Sequence, residues 1–176
     1  MRMLFALLLT ILLLPSVHAQ TWTWSQTTGS HPVVANMRQG SALVYAAPKE
    51  DELSAWQTLP FPFTFAGEAV TGYFISDNGY ITFAAGATVS EPANESGTVR
   101  NAIFGYWDDL HLEGGNPVWS NEVRMKTDGV APNRTHVIMW ISAVPKGQSW
   151  RMSNVSFAIV LYEQGGFEIE IGRAHV

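Results

Sequence analysis

The chain contains no cysteine. This absence excludes a disulfide framework, a cysteine-ligated metal and a thiol nucleophile. Positive charge is also scarce, because ten Lys and Arg residues stand against 15 Asp and Glu residues, for a formal net charge of −5. That balance argues against nucleic acid and anionic membrane surfaces as partners. Stability must come from packing, for which seven tryptophans and nine phenylalanines supply the apolar surface.

Motifs with a known chemistry are also missing. The sequence has no G-x-S-x-G nucleophile elbow, no phosphate loop, no dinucleotide fingerprint and no zinc-type histidine pair. The histidines beyond residue 19 lie outside any such motif, and His136, in "RTHVIMW", is expected on the surface of a strand. These absences predict that the protein is not an enzyme and has no cofactor.

The first nineteen residues have the features of a signal peptide. A positive Arg2 precedes the apolar run Leu4–Leu14, and small residues follow at Val17 and Ala19. The run is too short to span a bilayer. We therefore expect cleavage after Ala19, no membrane span in the remaining chain, and a secreted, extracellular or cell-surface location. The lack of cysteine suits a bacterial envelope or extracellular protein.

Period-two patterning dominates the remainder, and no convincing amphipathic helix is present. The runs "AVTGYFIS" and "YITFAA" flank "DNG", which predicts a hairpin with a positive φ at Gly79. Pro60 and Pro62 remove two backbone donors, so "LPFPFTF" is expected to form an edge strand or a strand entry. Residues 20–172 are therefore predicted to form one all-β domain, a single antiparallel β-sandwich.

The stretch "FGYWDDLHLEGG" resembles a catalytic or metal-binding site more than any other segment does. Asp108, Asp109 and Glu113 carry the oxygen atoms that Ca²⁺ prefers, although the spacing is not that of an EF-hand. Alternatively, "AIFGYW" is a buried strand, and Asp108 accepts hydrogen bonds from the loop after it. We favour the structural interpretation. Adjacent residues of a strand point to opposite faces, so Asp108 and Asp109 do not form a glycosidase pair.

Four tryptophans are candidates for a ligand platform, because sugar-binding modules stack their ligands on exposed aromatic rings. They lie in the strand-like "TWTW" or in and beside loops: Trp22, Trp24, Trp119 and Trp150. The favoured alternative is that Trp22 and Trp24 close the end of the core, since large aromatic side chains are mostly buried.

The order of the motifs resembles that of nidogen-like domains and of related secreted bacterial modules. The "pF-F-F-G" and "s-NG-l-F" elements are matched here by Phe61, Phe63, Phe65 and Gly67, and by Ser76, Asn78, Gly79, Tyr80 and Phe83. The "W-D-l" element is matched by Trp107, Asp108 and Leu110, with "FGYW" in place of the usual "APFW". The similarity covers roughly residues 57–172, and the structural signature it assigns is Phe63, Gly67, Asn78, Gly79, Trp107 and Asp108.

This resemblance implies a secreted, non-catalytic module with a binding, adhesive or structural role, as part of a larger extracellular or cell-surface protein. Its partner would be an unidentified extracellular protein or a glycan. The alternatives are a carbohydrate-binding module and an accessory domain of a secreted hydrolase.

The end of the chain has a second interpretation. Residues 170–176, "EIGRAHV", back-translate into the opening of a widely used sequencing adapter, so we expect them to be read-through rather than evolved sequence. The domain would then lack one or more C-terminal strands, and apolar side chains near Ile159, Leu161 and Ile169 would be uncovered.

Overall fold

The computed structural model describes residue 23 and residues 25–26, 38–47, 49–87, 99–114, 121–149 and 151–172. Within these ranges the chain forms eleven strands. They are β1 (Ala42–Ala46), β2 (Lys49–Glu50), β3 (Gln57–Phe65), β4 (Glu68–Ser76), β5 (Tyr80–Thr82), β6 (Ala102–Phe104), β7 (Leu110–Leu112), β8 (Glu122–Asp128), β9 (Thr135–Pro145), β10 (Val155–Tyr162) and β11 (Phe167–Ile171). None of the described residues belongs to a helix long and apolar enough to cross a membrane.

The strands form two antiparallel sheets. The larger sheet has the order β1-β8-β9-β10-β11, with β7 added at the end of β9 and β2 paired to β7. The smaller sheet has the order β3-β4-β5-β6. The two sheets bury one apolar core, which includes Tyr73, Trp140 and Phe157. The predicted all-β antiparallel sandwich is confirmed.

Local sequence rules account for the edge of the smaller sheet and for its hairpin. β3 is an edge strand, as Pro60 and Pro62 predict, and its register with β4 shifts between Thr58 and Phe63. The turn Asp77–Gly79 joins β4 to β5, and Gly79 has φ 83°. A three-residue hairpin loop with glycine in the left-handed region follows the right-handed twist of the strands.

The central strands of the larger sheet are buried on both faces. In β9, Ile138 and Trp140 point into the core between the sheets, while Val137, Met139 and Ile141 point to the opposite face. Continuous apolar runs are typical of strands covered on both sides. We call the buried side chains of this second face the outer cluster; they are Val137, Met139, Ile141, Ala158 and Val160.

A bulge near the end of β9 positions the β7 segment. The register between β9 and β10 shifts between Val155 and Phe157, and Ser142 has φ 54°. Such bulges bend a strand and redirect its side chains. Beyond the bulge, β9 pairs with β7 through Leu110 and Pro145. This pairing brings the acids that precede Leu110 next to the turn that follows β9.

The apolar side chains of β10, but not those of β11, are less exposed than a missing C-terminal strand would leave them. Ile159 and Leu161, expected to be uncovered, are fully buried in the core. Ile169 and Ile171 in β11 are 37% and 55% exposed. Glu170 and Ile171 belong to the β11 strand, where Ile171 pairs with Phe157. Residues 173–176 lie outside the described residues, so the read-through interpretation stays a prediction.

Candidate functional site

The turn between β4 and β5 is buried, although turns usually lie at the surface. Asp77 and Asn78 are both 0% exposed. The amide of Asp77 donates to the Glu52 carbonyl at 3.2 Å, and the amide of Glu52 donates to Asp77 Oδ1 at 3.0 Å. These reciprocal bonds join the turn to the segment after β2. The bonds to Oδ1 and to the amide offset part of the cost of burying this aspartate.

Asn78 joins the turn to the second matched motif. Its Oδ1 accepts a hydrogen bond from the Leu110 amide at 2.8 Å, its Nδ2 donates to Asp51 at 3.2 Å, and its amide donates to Ser76 Oγ at 3.0 Å. The carbonyl of Gly79 accepts from the Gly105 amide at 2.9 Å. The "DNG" and "WDDL" elements, separated along the chain, therefore meet directly in space.

Gly79 is required where these elements meet. A Cβ at this position would lie 2.1 Å from the Tyr106 carbonyl oxygen, far inside contact distance. The positive φ adds a conformational reason, because side chains other than glycine rarely adopt it. The family signature residues Asn78 and Gly79 thus have structural roles that geometry alone explains.

Two buried side chains connect the larger sheet to the end of β4. Trp140 Nε1 donates to the Ser76 carbonyl at 2.9 Å, and the Tyr45 hydroxyl donates to the Ile75 carbonyl at 2.9 Å. Trp140 also stacks on Phe157 with a centroid distance of 4.8 Å and an interplanar angle of 10°. Neither contact was predictable from the sequence, since an apolar pattern alone does not reveal which ring makes a polar contact.

The expected strand "AIFGYW" is shorter than predicted. β6 ends at Phe104 and residues 105–109 belong to no strand, so Asp108 and Asp109 do not lie on opposite sides of a strand. Glycine suits position 105, just after the strand, because the Phe157 ring lies 3.0 Å from the position that a Cβ would take there. Asp108 Oδ1 accepts a hydrogen bond from the Asp109 amide at 2.9 Å. Trp107 packs on Phe104 with a centroid distance of 4.3 Å.

Asp109 lies beside the turn after β9. Its Oδ2 is 3.3 Å from Lys146 Nζ, and its carbonyl accepts from the Lys146 amide at 2.7 Å. Lys146 also pairs with Glu50 at 3.3 Å, and these bonds hold the pKa of the lysine above its usual value. Asp109 is therefore paired with a cation of the chain itself.

The structure gives the candidate Ca²⁺ ligands no common site. No group of three or more His, Asp or Glu side chains is arranged to hold a metal within the described ranges. Asp108, Asp109 and Glu113 follow one another along the chain without converging there.

The remaining predicted residues divide into two groups. Phe63 is a core residue of β3, and Gly67 forms the tight turn before β4 with φ 84°. A Cβ at Gly67 would meet nothing within 4 Å, so conformation alone favours glycine there. The four candidate platform tryptophans, Trp22, Trp24, Trp119 and Trp150, lie outside the described residues.

His136 is buried, so the expectation that it lies on a strand surface is wrong. It faces the core, where its Nε2 lies 2.5 Å from the Tyr73 hydroxyl and its Nδ1 lies 2.8 Å from Thr127 Oγ1. Burial lowers the pKa of the imidazole to about 4 and raises the pKa of the Tyr73 phenol. A neutral imidazole with one donor and one acceptor nitrogen suits the two hydroxyl partners.

This buried histidine predicts a loss of stability in acid. The pKa is about 4 in the folded state against 6.5 for an unperturbed histidine. The contribution of His136 is therefore complete above pH 6.5 and falls as the pH drops toward 4, because the unfolded state binds the proton first. We expect a loss of about 2 kcal/mol between pH 7 and pH 4.5.

Denaturant unfolding of the wild type and of His136→Gln across this range measures the effect. Carboxylates titrate in both proteins, so the difference between the two curves isolates the histidine. The free energy of unfolding should fall more steeply in the wild type. Parallel curves would show that His136 is not buried in its neutral form.

The fold and the contacts between motifs define the class of protein. The chain is an all-β sandwich whose two motif elements are joined by buried hydrogen bonds. Residues 19–172 match the family model described as NIDO related, and the chain belongs to this nidogen-related family. The family is a non-enzymatic type of module, and nidogen-like domains are typically extracellular. No curated protein and no solved structure matches the chain.

Proposed function

We propose that this protein is a secreted, non-catalytic module that binds an extracellular partner. The observation that supports it best concerns the polar residues of the "DNG" and "WDDL" elements: Asp77 and Asn78 bond within the fold, as does Asp108. Asp77 and Asn78 are fully buried, so their side chains are out of reach of a substrate. Membership of the nidogen-related family agrees with this role.

The proposed binding surface is the end of the sandwich that carries the Asp77–Gly79 turn, which we call the loop end. A groove there is lined by Lys49, Glu50, Glu52, His111, Leu112 and Glu113. The excess of acids at the groove favours a protein segment with basic side chains.

Unbiased selection of ligands tests this surface. Peptides from a displayed library and arrayed glycans are offered to the chain beginning at Gln20. Selected ligands should lose binding to Glu50→Lys, because this substitution reverses a charge at the groove. The matched control is Glu68→Lys, an exposed position at the opposite end of β4, and it should bind as the wild type does.

Two other outcomes would change the proposal. Saturable binding of a glycan that Trp24→Ala abolishes and Glu50→Lys leaves intact would favour a carbohydrate-binding module. Turnover of peptide, ester or glycoside substrates that is lost in Asp109→Asn or Glu113→Gln would contradict a non-catalytic role.

A further inference from the structure

A second groove adjoins the loop-end groove at one edge of the larger sheet. We call it the edge groove; it has a volume of about 420 Å³ and runs between β1 and residues 53–55, which precede β3. Four consecutive residues of β1, 43–46, line it. Because successive side chains of a strand point to opposite faces, a groove that touches all four must follow the edge of the strand. The edge groove therefore lies along the open side of the sandwich.

The backbone of β1 directs hydrogen-bonding groups to this side. The amide of Ala47 donates to the Asn121 carbonyl at 3.2 Å, and Ala46 belongs to the next pair of the same ladder. In an antiparallel ladder, bonded pairs alternate with pairs whose N–H and C=O groups point away from each other. The N–H and C=O of Ala46 therefore point away from β8, at the edge where no described strand pairs with β1. The bulge of β1, between Leu43 and Tyr45, comes before this residue.

The side chains of β1 differ from those of two other edge strands of the sandwich. β3 carries Pro60 and Pro62, and β11 carries Glu168 and Glu170. Prolines and charges on an edge oppose pairing with further strands. β1, with the sequence "ALVYA", has neither, and its Leu43 is 51% exposed. Of these three edges, that of β1 is the best suited to accept another strand.

The edge groove is apolar beside β1 and meets the loop-end groove at a charged pair. Leu53 and Met125 line the edge groove together with Leu43. Lys49 and Glu52 line both grooves, and their side chains are 3.3 Å apart. Three glutamates and one lysine line the loop-end groove, so its charge is negative. The two grooves thus form one continuous surface with an apolar part and an acidic part.

We propose that an extended segment of a protein partner adds a strand to the edge of β1, with an apolar side chain in the edge groove and a basic side chain over the loop-end groove. Main-chain bonds to Ala46 fix its register, and the two grooves select its side chains. The basic side chain displaces Lys49 from Glu52, because an exposed ion pair contributes little to stability. The proposed function is the basis of this inference, which adds the form and the chemistry of the partner.

Amide exchange followed by NMR tests strand addition, with the peptides selected from the displayed library as the probe. In the free chain from Gln20, the Ala46 amide should exchange rapidly and the Tyr45 amide, which bonds to β8, slowly. Saturating peptide should slow exchange at Ala46 by about tenfold or more and leave Tyr45 unchanged. A bound peptide that leaves Ala46 exchange unchanged would overturn the inference, although the proposed function would stand. A selection that yields no peptide would also overturn it, and the proposed function would then depend on the arrayed glycans.

Two substitutions test the same contact through affinity. Ala46→Pro removes the outward N–H without breaking a bond to β8, and Leu43→Glu places a charge in the apolar part of the groove. Each should weaken peptide binding by about tenfold or more. The matched control is Ile171→Pro at the opposite edge of the larger sheet. The Gly172 amide donates to the Ser156 carbonyl at 2.7 Å, so the amide of Ile171 also points away from its neighbouring strand, and this variant should bind as the wild type does.

A slowly exchanging Tyr45 amide in each variant shows that β1 still pairs with β8, so that weaker binding does not reflect unfolding. If Ala46→Pro loses this protection, Leu43→Glu alone decides. Glu50→Lys should weaken binding but leave Ala46 protected once the peptide saturates the chain. A peptide that responds to Glu50→Lys and to neither edge substitution would lie in the loop-end groove alone and would contradict the inference. A dimer of the chain that Ala46→Pro dissociates would assign the edge to a second copy and would contradict it as well.

Discussion

Replacing Gly79 with alanine should destabilise the fold by about 4 kcal/mol. Two costs combine. Alanine is strained at the positive φ of this residue, and its Cβ would lie 2.1 Å from the carbonyl oxygen of Tyr106. Neither atom belongs to a flexible side chain, so the turn must move away from the segment that leads to β7. Denaturant unfolding of the purified variant measures the loss.

Gly67→Ala is the matched control for this prediction. Gly67 has nearly the same φ, 84° against 83°, but a Cβ there would meet nothing within 4 Å. Only the conformational cost remains, about 1 kcal/mol. The difference between the two losses of unfolding free energy therefore measures the cost of the steric clash with Tyr106. Equal losses would show that backbone conformation alone requires glycine at position 79.

Asn78→Ala should cost about 3 kcal/mol. The substitution removes the acceptor of the Leu110 amide and leaves that buried N–H without a partner, and it also removes the bond to Asp51. A buried donor without an acceptor loses its full solvation free energy, which exceeds the net value of an ordinary hydrogen bond.

The control for this second prediction is Asn133→Ala, which changes an exposed asparagine in a turn. Its effect should stay within about 0.5 kcal/mol. A loss for Asn78→Ala as small as that of the control would mean that the turn and the "WDDL" element are not held together by this side chain.

Local chemistry made part of the fold predictable from sequence. The "DNG" sequence predicted a hairpin, because glycine readily adopts the positive φ that the turn requires. Pro60 and Pro62 predicted an edge strand, because proline has no backbone N–H to donate to a neighbouring strand. Both features depend on a few adjacent residues. The order of the family motifs along the chain added the nidogen-related assignment.

Features that depend on contacts between distant segments were not predictable. Whether His136 is exposed depends on Tyr73, which reaches it from the other sheet. The burial of the turn at Asn78 depends on β7, which the bulge of β9 brings into place. The strand predicted for "AIFGYW" was also too long, because β6 ends at Phe104 and an apolar pattern does not show where a strand stops pairing.

Thermal unfolding of the wild type and of Asp108→Ala, each in Ca²⁺ and in EDTA, tests the central claim most directly: the matched motifs hold the fold and do not bind a metal. The hydrogen bond from the Asp109 amide to Asp108 predicts that Asp108→Ala loses about 1–2 kcal/mol in either solution. The melting temperature of the wild type should be the same in Ca²⁺ and in EDTA. A wild-type melting temperature that rises with Ca²⁺, and a rise that Asp108→Ala abolishes, would contradict the account.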